Sequence, residues 1–141
     1  FLPGNVNRKM EPWTRPLIDI FHKNYTINRV QKMIRDEQIE IAPLAFMRGR
    51  TFENAYIIAD EMQNTTINQF KMLVTRIGEG SKLVITGDLE QTDRGSANGL
   101  ADFLQKLHSA DSKYINSVRL QAHDIQRHQA VSEALSLYKA S

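Results

Sequence analysis

Apolar residues recur along the chain with two different periods. Leu17, Ile18, Ile20 and Phe21 give an apolar face to a helix expected to begin near Pro16, after an irregular lead-in carrying Pro3, Pro12 and Pro16. Ile27, Val30, Met33 and Ile34 repeat the helical spacing, with Asn24, Thr26 and Asn28 as start signals. Together they predict a small helical pair. Beyond Gln38 the texture changes to short apolar runs. Ile39-Glu40-Ile41-Ala42 alternates up to Pro43 and predicts a short strand, followed by a basic loop over Phe46–Thr51. Ala55–Ala59 is a near-continuous apolar run closed by Asp60-Glu61, the pattern of a strand buried on both faces. Thr66 with Gln69 three residues on forms a capping box for a helix whose face is Ile67, Phe70, Leu73, Val74 and Ile77, stopped by Gly78. Leu83-Val84-Ile85-Thr86 predicts a second buried strand ending at Gly87-Asp88. Leu100, Phe103, Leu104 and Leu107 mark another helix, Tyr114–Leu120 alternates like a strand, and Val131, Ala134, Leu135 and Tyr138 mark a last helix.

Strands alternating with helices of this length predict an α/β fold: a parallel sheet flanked by helices. In such sheets ligands bind outside the carboxyl ends of the strands. Two strands here end in acids, at Asp60-Glu61 and at Asp88, so as sheet neighbours they share one crevice.

Composition narrows the chemistry. The 141 residues contain no cysteine, which removes disulfides, thiolate metal sites and a catalytic thiol, and fits a reducing cytoplasmic setting. Lys and Arg number 18 against 16 Asp and Glu, too small a surplus for a dense nucleic-acid arm. The longest apolar run, Ala55–Ala59, is far short of the ~20 residues of a membrane span. The chain opens on Phe1 rather than methionine and is expected to be cut from something longer.

A buried strand ending in Asp-Glu suits phosphoryl transfer, with the Asp on hydrated magnesium and the Glu on the attacking water. An acidic pair opening a turn gives the same letters. The context adds Gln63 and Asn64 directly after, and Gly87-Asp88-Leu89-Glu90-Gln91, where a neutral amide three residues past an acid can reach a terminal phosphate. Clustered acids at Asp60, Glu61, Asp88 and Asp93 also suit a two-metal nuclease, which leaves the glutamines without a task. His123 and His128 could share a helical face, but they lack a third ligand for zinc. Trp13 and the methionines are expected to pack.

Ala55–Thr66, with Asp60, Glu61, Gln63 and Asn64, resembles the Walker B segment of the PhoH-like family of P-loop ATPases. The likeness continues in order through Phe1-Leu-Pro-Gly, Pro12-Trp-Thr-Arg-Pro16, Ala42–Thr51 with Arg48-Gly49-Arg50, Leu73–Gly78, Val84–Asp93 and Asp124-Ile-Gln-Arg127-His128. The resemblance implies a RecA-like P-loop NTPase core, with residues 1–38 a helical lead-in and 39–141 the α/β part. It implies Asp60 as the Mg2+-holding acid, Glu61 as general base, and Gln91 beside Asp88 as sensor of the γ-phosphate. Gln63 joins Asp60 and Asp88 around the nucleotide, and Arg127 is implied as a phosphate-facing arginine. An ion pair between Arg127 and Asp124 competes with that role. Arg48 and Arg50 are candidates for nucleic-acid phosphates or a subunit interface, with a solvated loop as the third possibility. Implied with these are ATP and magnesium, action on RNA or other single-stranded nucleic acid, a link to phosphate starvation, and ring-like homo-oligomers, hexamers among them. A regulatory module without turnover keeps the same fold.

One element of the family pattern is absent from these residues. No G-x-x-x-x-G-K-[ST] occurs, and Gly78-Glu-Gly80-Ser81-Lys82 has the wrong spacing and lies between a helix and a strand. By resemblance the phosphate loop precedes Leu2-Pro3-Gly4, so the chain is expected to be N-terminally incomplete and nearly inactive alone.

Overall fold

A computed structural model describes residues 6–91 and 98–139, without the side chains of residues 6–13, 122 and 139. Pro3, Asp93 and the Leu2-Pro3-Gly4 segment lie outside the described residues, as does the side chain of Trp13. The chain divides into one unit up to Phe103 and a second from Leu104, the division falling within a helix.

In the first unit, α1 (Val6–His22) packs on α2 (Ile27–Arg35). The helical pair is as expected, but α1 begins before both prolines rather than at Pro16. Pro12 and Pro16 are four apart, so the bonds they forgo, to the carbonyls of Arg8 and Pro12, fall on one strip and the rest of the ladder continues. Thr26 caps α2 by accepting from the Arg29 N–H. The segment expected as a strand at 39–42 is irregular. The Ile39 N–H donates to the Met33 carbonyl, so this stretch closes the end of α2 instead of joining a ladder.

β1 (Tyr56–Ala59) and β2 (Lys82–Ile85) pair in parallel, joined by α3 (Ile67–Val74) in a β-α-β crossover. Their register sets Ala59 opposite Ile85. The capping box of α3 forms as its letters require, Thr66 accepting from Gln69 N–H and the Gln69 side chain accepting from Thr66 N–H. β1 is not buried on both faces: Tyr56 and Ile58 are 67% and 61% exposed while Ala59 is buried. Exposure therefore alternates along the strand, the period of a half-covered sheet.

The core of this unit gathers Ala59, Met62, Phe70, Leu73 and Leu100, with Phe103 tilted against Phe70 at 5.0 Å between ring centres. α4 (Gly99–His108) starts beside α3, because Asn98 bridges to Thr66 and its Oδ1 accepts from Ala101 N–H at 2.6 Å. In the second unit, α5 (Gln129–Lys139) forms as predicted. Tyr114–Leu120 is no strand; Tyr114, Val118 and Leu120 are all largely exposed. Alternation alone does not supply the ladder partner that a strand needs.

Candidate phosphoryl-transfer site

The parallel register brings the ends of both strands to one corner. Thr86 follows β2, and three bonds tie it to the chain leaving β1. Its N–H donates to Ala59 O at 2.9 Å, its carbonyl accepts from Met62 N–H at 3.0 Å, and its hydroxyl donates to Asp60 Oδ1. Glu61 N–H also donates to Asp60 Oδ1, at 3.1 Å. Asp60 is thereby fixed through one carboxylate oxygen.

Glu61 has φ 58° and ψ 37°, a left-handed conformation uncommon for a residue with a Cβ. This kink turns the chain into the short 3-10 turn Met62–Asn64 and keeps both acids exposed at the sheet end. Gln63 is 1% exposed and links the two loops. Its Nε2 donates to Glu61 Oε2 at 2.6 Å, and its Oε1 accepts from Asp88 N–H at 3.1 Å. Asp88 in turn accepts from Glu90 N–H through Oδ1 and from Gln91 N–H through its carbonyl. Gln91 ends the 3-10 turn Leu89–Gln91 and is exposed at the same end of the sheet.

Gly87 lies close against Leu100 and Gln63. A Cβ there would stand 2.6 Å from Leu100 Cδ2, 3.0 Å from Gln63 Oε1 and 3.2 Å from Gln63 N.

Among the described residues no cation pairs with Asp60, Glu61 or Asp88. A hard divalent cation fits this donor set: carboxylate oxygen on a side chain fixed at one atom, in a corner whose acids pair with no cation among the described residues. No group of three or more metal-ligating side chains occurs among the described residues.

The remaining candidates lie elsewhere. Arg50 forms a two-pronged pair with Glu40, Nη1 to Oε1 at 2.6 Å and Nη2 to Oε2 at 2.9 Å, and its guanidinium stands 4.6 Å from the Phe52 ring centre. The hydrogen bonds and charge of Arg50 hold the Glu40 carboxyl below its ordinary range. Arg48, two residues earlier, is exposed. In the second unit Arg127 is exposed, and the ion pair expected with Asp124 does not form. Asp124 instead pairs with His123 at 3.4 Å and accepts from Gln121 N–H at 2.7 Å, closing the turn Ala122–Asp124 locally. His123 lies in that turn and His128 precedes α5, so they share no helix. A cavity of about 770 Å3 opens between α1, α2 and the 39–50 segment, lined by Ile18, Val30, Ile34, Ile41 and Phe46. It contains none of the strand-end acids.

Thr86 escaped the reading of the letters as a site residue. Its only signal was a hydroxyl closing an apolar run directly before Gly87-Asp88, and its partner Asp60 is set by strand register.

Comparison with known proteins gives the family of the chain. The family model described as PhoH-like protein matches residues 1–139. A PhoH-like protein of Bacillus subtilis (strain 168) is 43% identical over 140 residues, covering 98% of this chain and 43% of the relative. One from Mycobacterium tuberculosis (strain ATCC 25618 / H37Rv) is 42% identical over 98% of the chain and 39% of its own length. Protein PhoH of Escherichia coli (strain K12) is 39% identical over 98% of the chain and 40% of its length. The chain thus spans about two fifths of these relatives. With the family model matching nearly end to end, the chain belongs to the PhoH-like family.

Proposed function

We propose that this chain supplies the hydrolytic half of a magnesium-dependent ATPase acting on RNA or other nucleic acid. The observation that carries the reading is the cross-tied corner: Thr86 holds Asp60, and Gln63 joins Glu61 to the loop bearing Asp88 and Gln91. In this reading the acids from one strand end and the neutral amide of Gln91 from the next attend the same triphosphate tail.

In this reading Asp60 would hold magnesium, which when bound offsets the negative charge of the β- and γ-phosphates. Glu61 orients a water and takes its proton as the water oxygen attacks the γ-phosphorus and the β–γ bridging oxygen leaves. Gln91 hydrogen-bonds the γ-phosphate, a contact that ends on hydrolysis. Arg127 serves as a source of positive charge for the transition state, within its subunit or across a ring. RNA as the acting partner and ring assembly rest on the family resemblance. The phosphate-binding loop, absent from these 141 residues, is assigned to sequence outside them.

The test is ATP hydrolysis by the full-length gene product that carries these residues. Glu61→Gln is expected to lower kcat by ~100-fold or more, the usual contribution of a positioned general base. Unchanged turnover removes Glu61 from that role. Cleavage of RNA without ATP, lost in Asp60→Asn, would instead point to two-metal nuclease chemistry.

A further inference from the structure

We infer that Gln63 is a positioning residue that makes the orientation of the Glu61 carboxylate follow the state of the 86–91 loop. The inference rests on the reading of Glu61 as the base and deepens it. Three features carry it.

First, the amide has one orientation. A backbone N–H can only donate, so the Gln63 atom facing Asp88 N is the carbonyl Oε1, and the amino group is the one turned to Glu61 Oε2. Gln63 thus presents a donor to an acid that needs one. Second, Gln63 is 1% exposed, so its side chain faces protein and not the open space bordered by Asp60 and Glu61. Its influence on a bound phosphate passes through Glu61. Third, the loop lies directly on this amide: a Cβ at Gly87 would come within 3.0 Å of Oε1 and 3.2 Å of the Gln63 nitrogen. A shift of the loop cannot bypass the glutamine.

Glu61 is otherwise an exposed side chain on a kinked backbone, with nothing else among the described residues fixing its carboxylate. When Gln91 gains or loses a phosphate contact, the 88–91 turn that carries it moves the Asp88 N–H. The Gln63 amide follows, and with it the donor that aims Glu61. Phosphate sensing and base alignment become one event, which restrains hydrolysis until the terminal phosphate is in place.

The experiment compares Gln63→Glu and Gln63→Met in the full-length gene product. The readouts are kcat for ATP, Kd for a fluorescent ATP analogue, and the melting curve. Gln63→Glu keeps the shape and the Asp88 bond but sets a carboxylate against Glu61; Gln63→Met keeps only the shape. Both are expected to lower kcat by ~100-fold, the usual cost of a misplaced group, with Kd within about threefold. In the Glu61→Gln background, Gln63→Glu is expected to add almost nothing, since the two act as one unit.

A rise in Kd that accounts for the whole loss makes Gln63 a nucleotide contact and overturns the inference. So does kcat within about twofold of the parent in both variants, or failure of both to fold, which assigns Gln63 to the core. These outcomes stand apart from failure of the underlying reading, which shows as Glu61→Gln turning over normally or the parent showing no hydrolysis.

Discussion

Asp60 and Glu61 are adjacent, and adjacent residues of an extended strand point to opposite faces. They stay together at the sheet end because Glu61 leaves the strand in the left-handed region, a conformation that costs a residue with a Cβ roughly 1 kcal/mol or more. The letters showed an acidic pair closing an apolar run; they did not show this kink, which depends on Thr86 and Met62 meeting across two loops. The same holds for Arg50. Its pairing with Glu40, ten residues back in an irregular segment, has no local signature, whereas the capping box at Thr66 and Gln69 does, because both bonds close within one turn. The Arg50 pair carries a pH signature. Glu40 is held below its ordinary range by the hydrogen bonds and charge of Arg50, so the folded state binds its proton less readily than the unfolded chain. That stabilisation is present above the ordinary glutamate range and is lost as pH falls through the lowered folded value. Both side chains are substantially exposed, so screening limits it to below ~1 kcal/mol. Arg50→Met is expected to lower stability more at neutral pH than in strong acid, where only the loss of its contact with the Phe52 ring remains, as denaturant titrations at the two pH values will read.

The helices were legible because their stabilising contacts are near in sequence: the spacing after Thr66 formed α3, ending at Val74 before the expected stop at Gly78, and the Leu100–Leu107 spacing formed α4. The runs at Tyr56–Ala59 and Lys82–Ile85 became strands by pairing with each other across 26 residues, Tyr56 opposite Lys82. Ile39–Ala42 and Tyr114–Leu120 carry similar alternation and did not become strands, since a strand exists only through a partner whose position the alternation does not encode. The junction of α3 with α4 is similarly non-local. Gly99 N–H donates to Thr65 O at 2.8 Å, and a Cβ on Gly99 would collide with Phe70 Cβ and stand 2.6 Å from Thr66 O. Helix propensity alone favours alanine at such a position by about 1 kcal/mol. Backbone and Cβ atoms cannot yield as a flexible side-chain tip can, so crowding wins. Gly99→Ala is expected to destabilise the chain by about 1–3 kcal/mol, measured as a lower denaturant midpoint with unchanged slope.

At the scale of the whole molecule, two units divide the chain within α4, and the strand-end corner belongs entirely to the first. No helix among the described residues is long and apolar enough to cross a membrane. The fold class was readable because β-α-β alternation leaves few topologies, while the extent of the sheet was not: among the described residues it has two strands. Each strand therefore has one side without a ladder neighbour, and Tyr56 and Ile58 stand open on β1. Bare strand edges of this kind are templates for pairing with another chain. Purified as these 141 residues, the protein is expected to self-associate as its concentration rises, in light scattering, and Ile58→Lys is expected to suppress it by placing a charge on the open face. The practical result concerns handling: stickiness, not loss of chemistry, will be the first thing a bench worker meets, and dilution the first remedy.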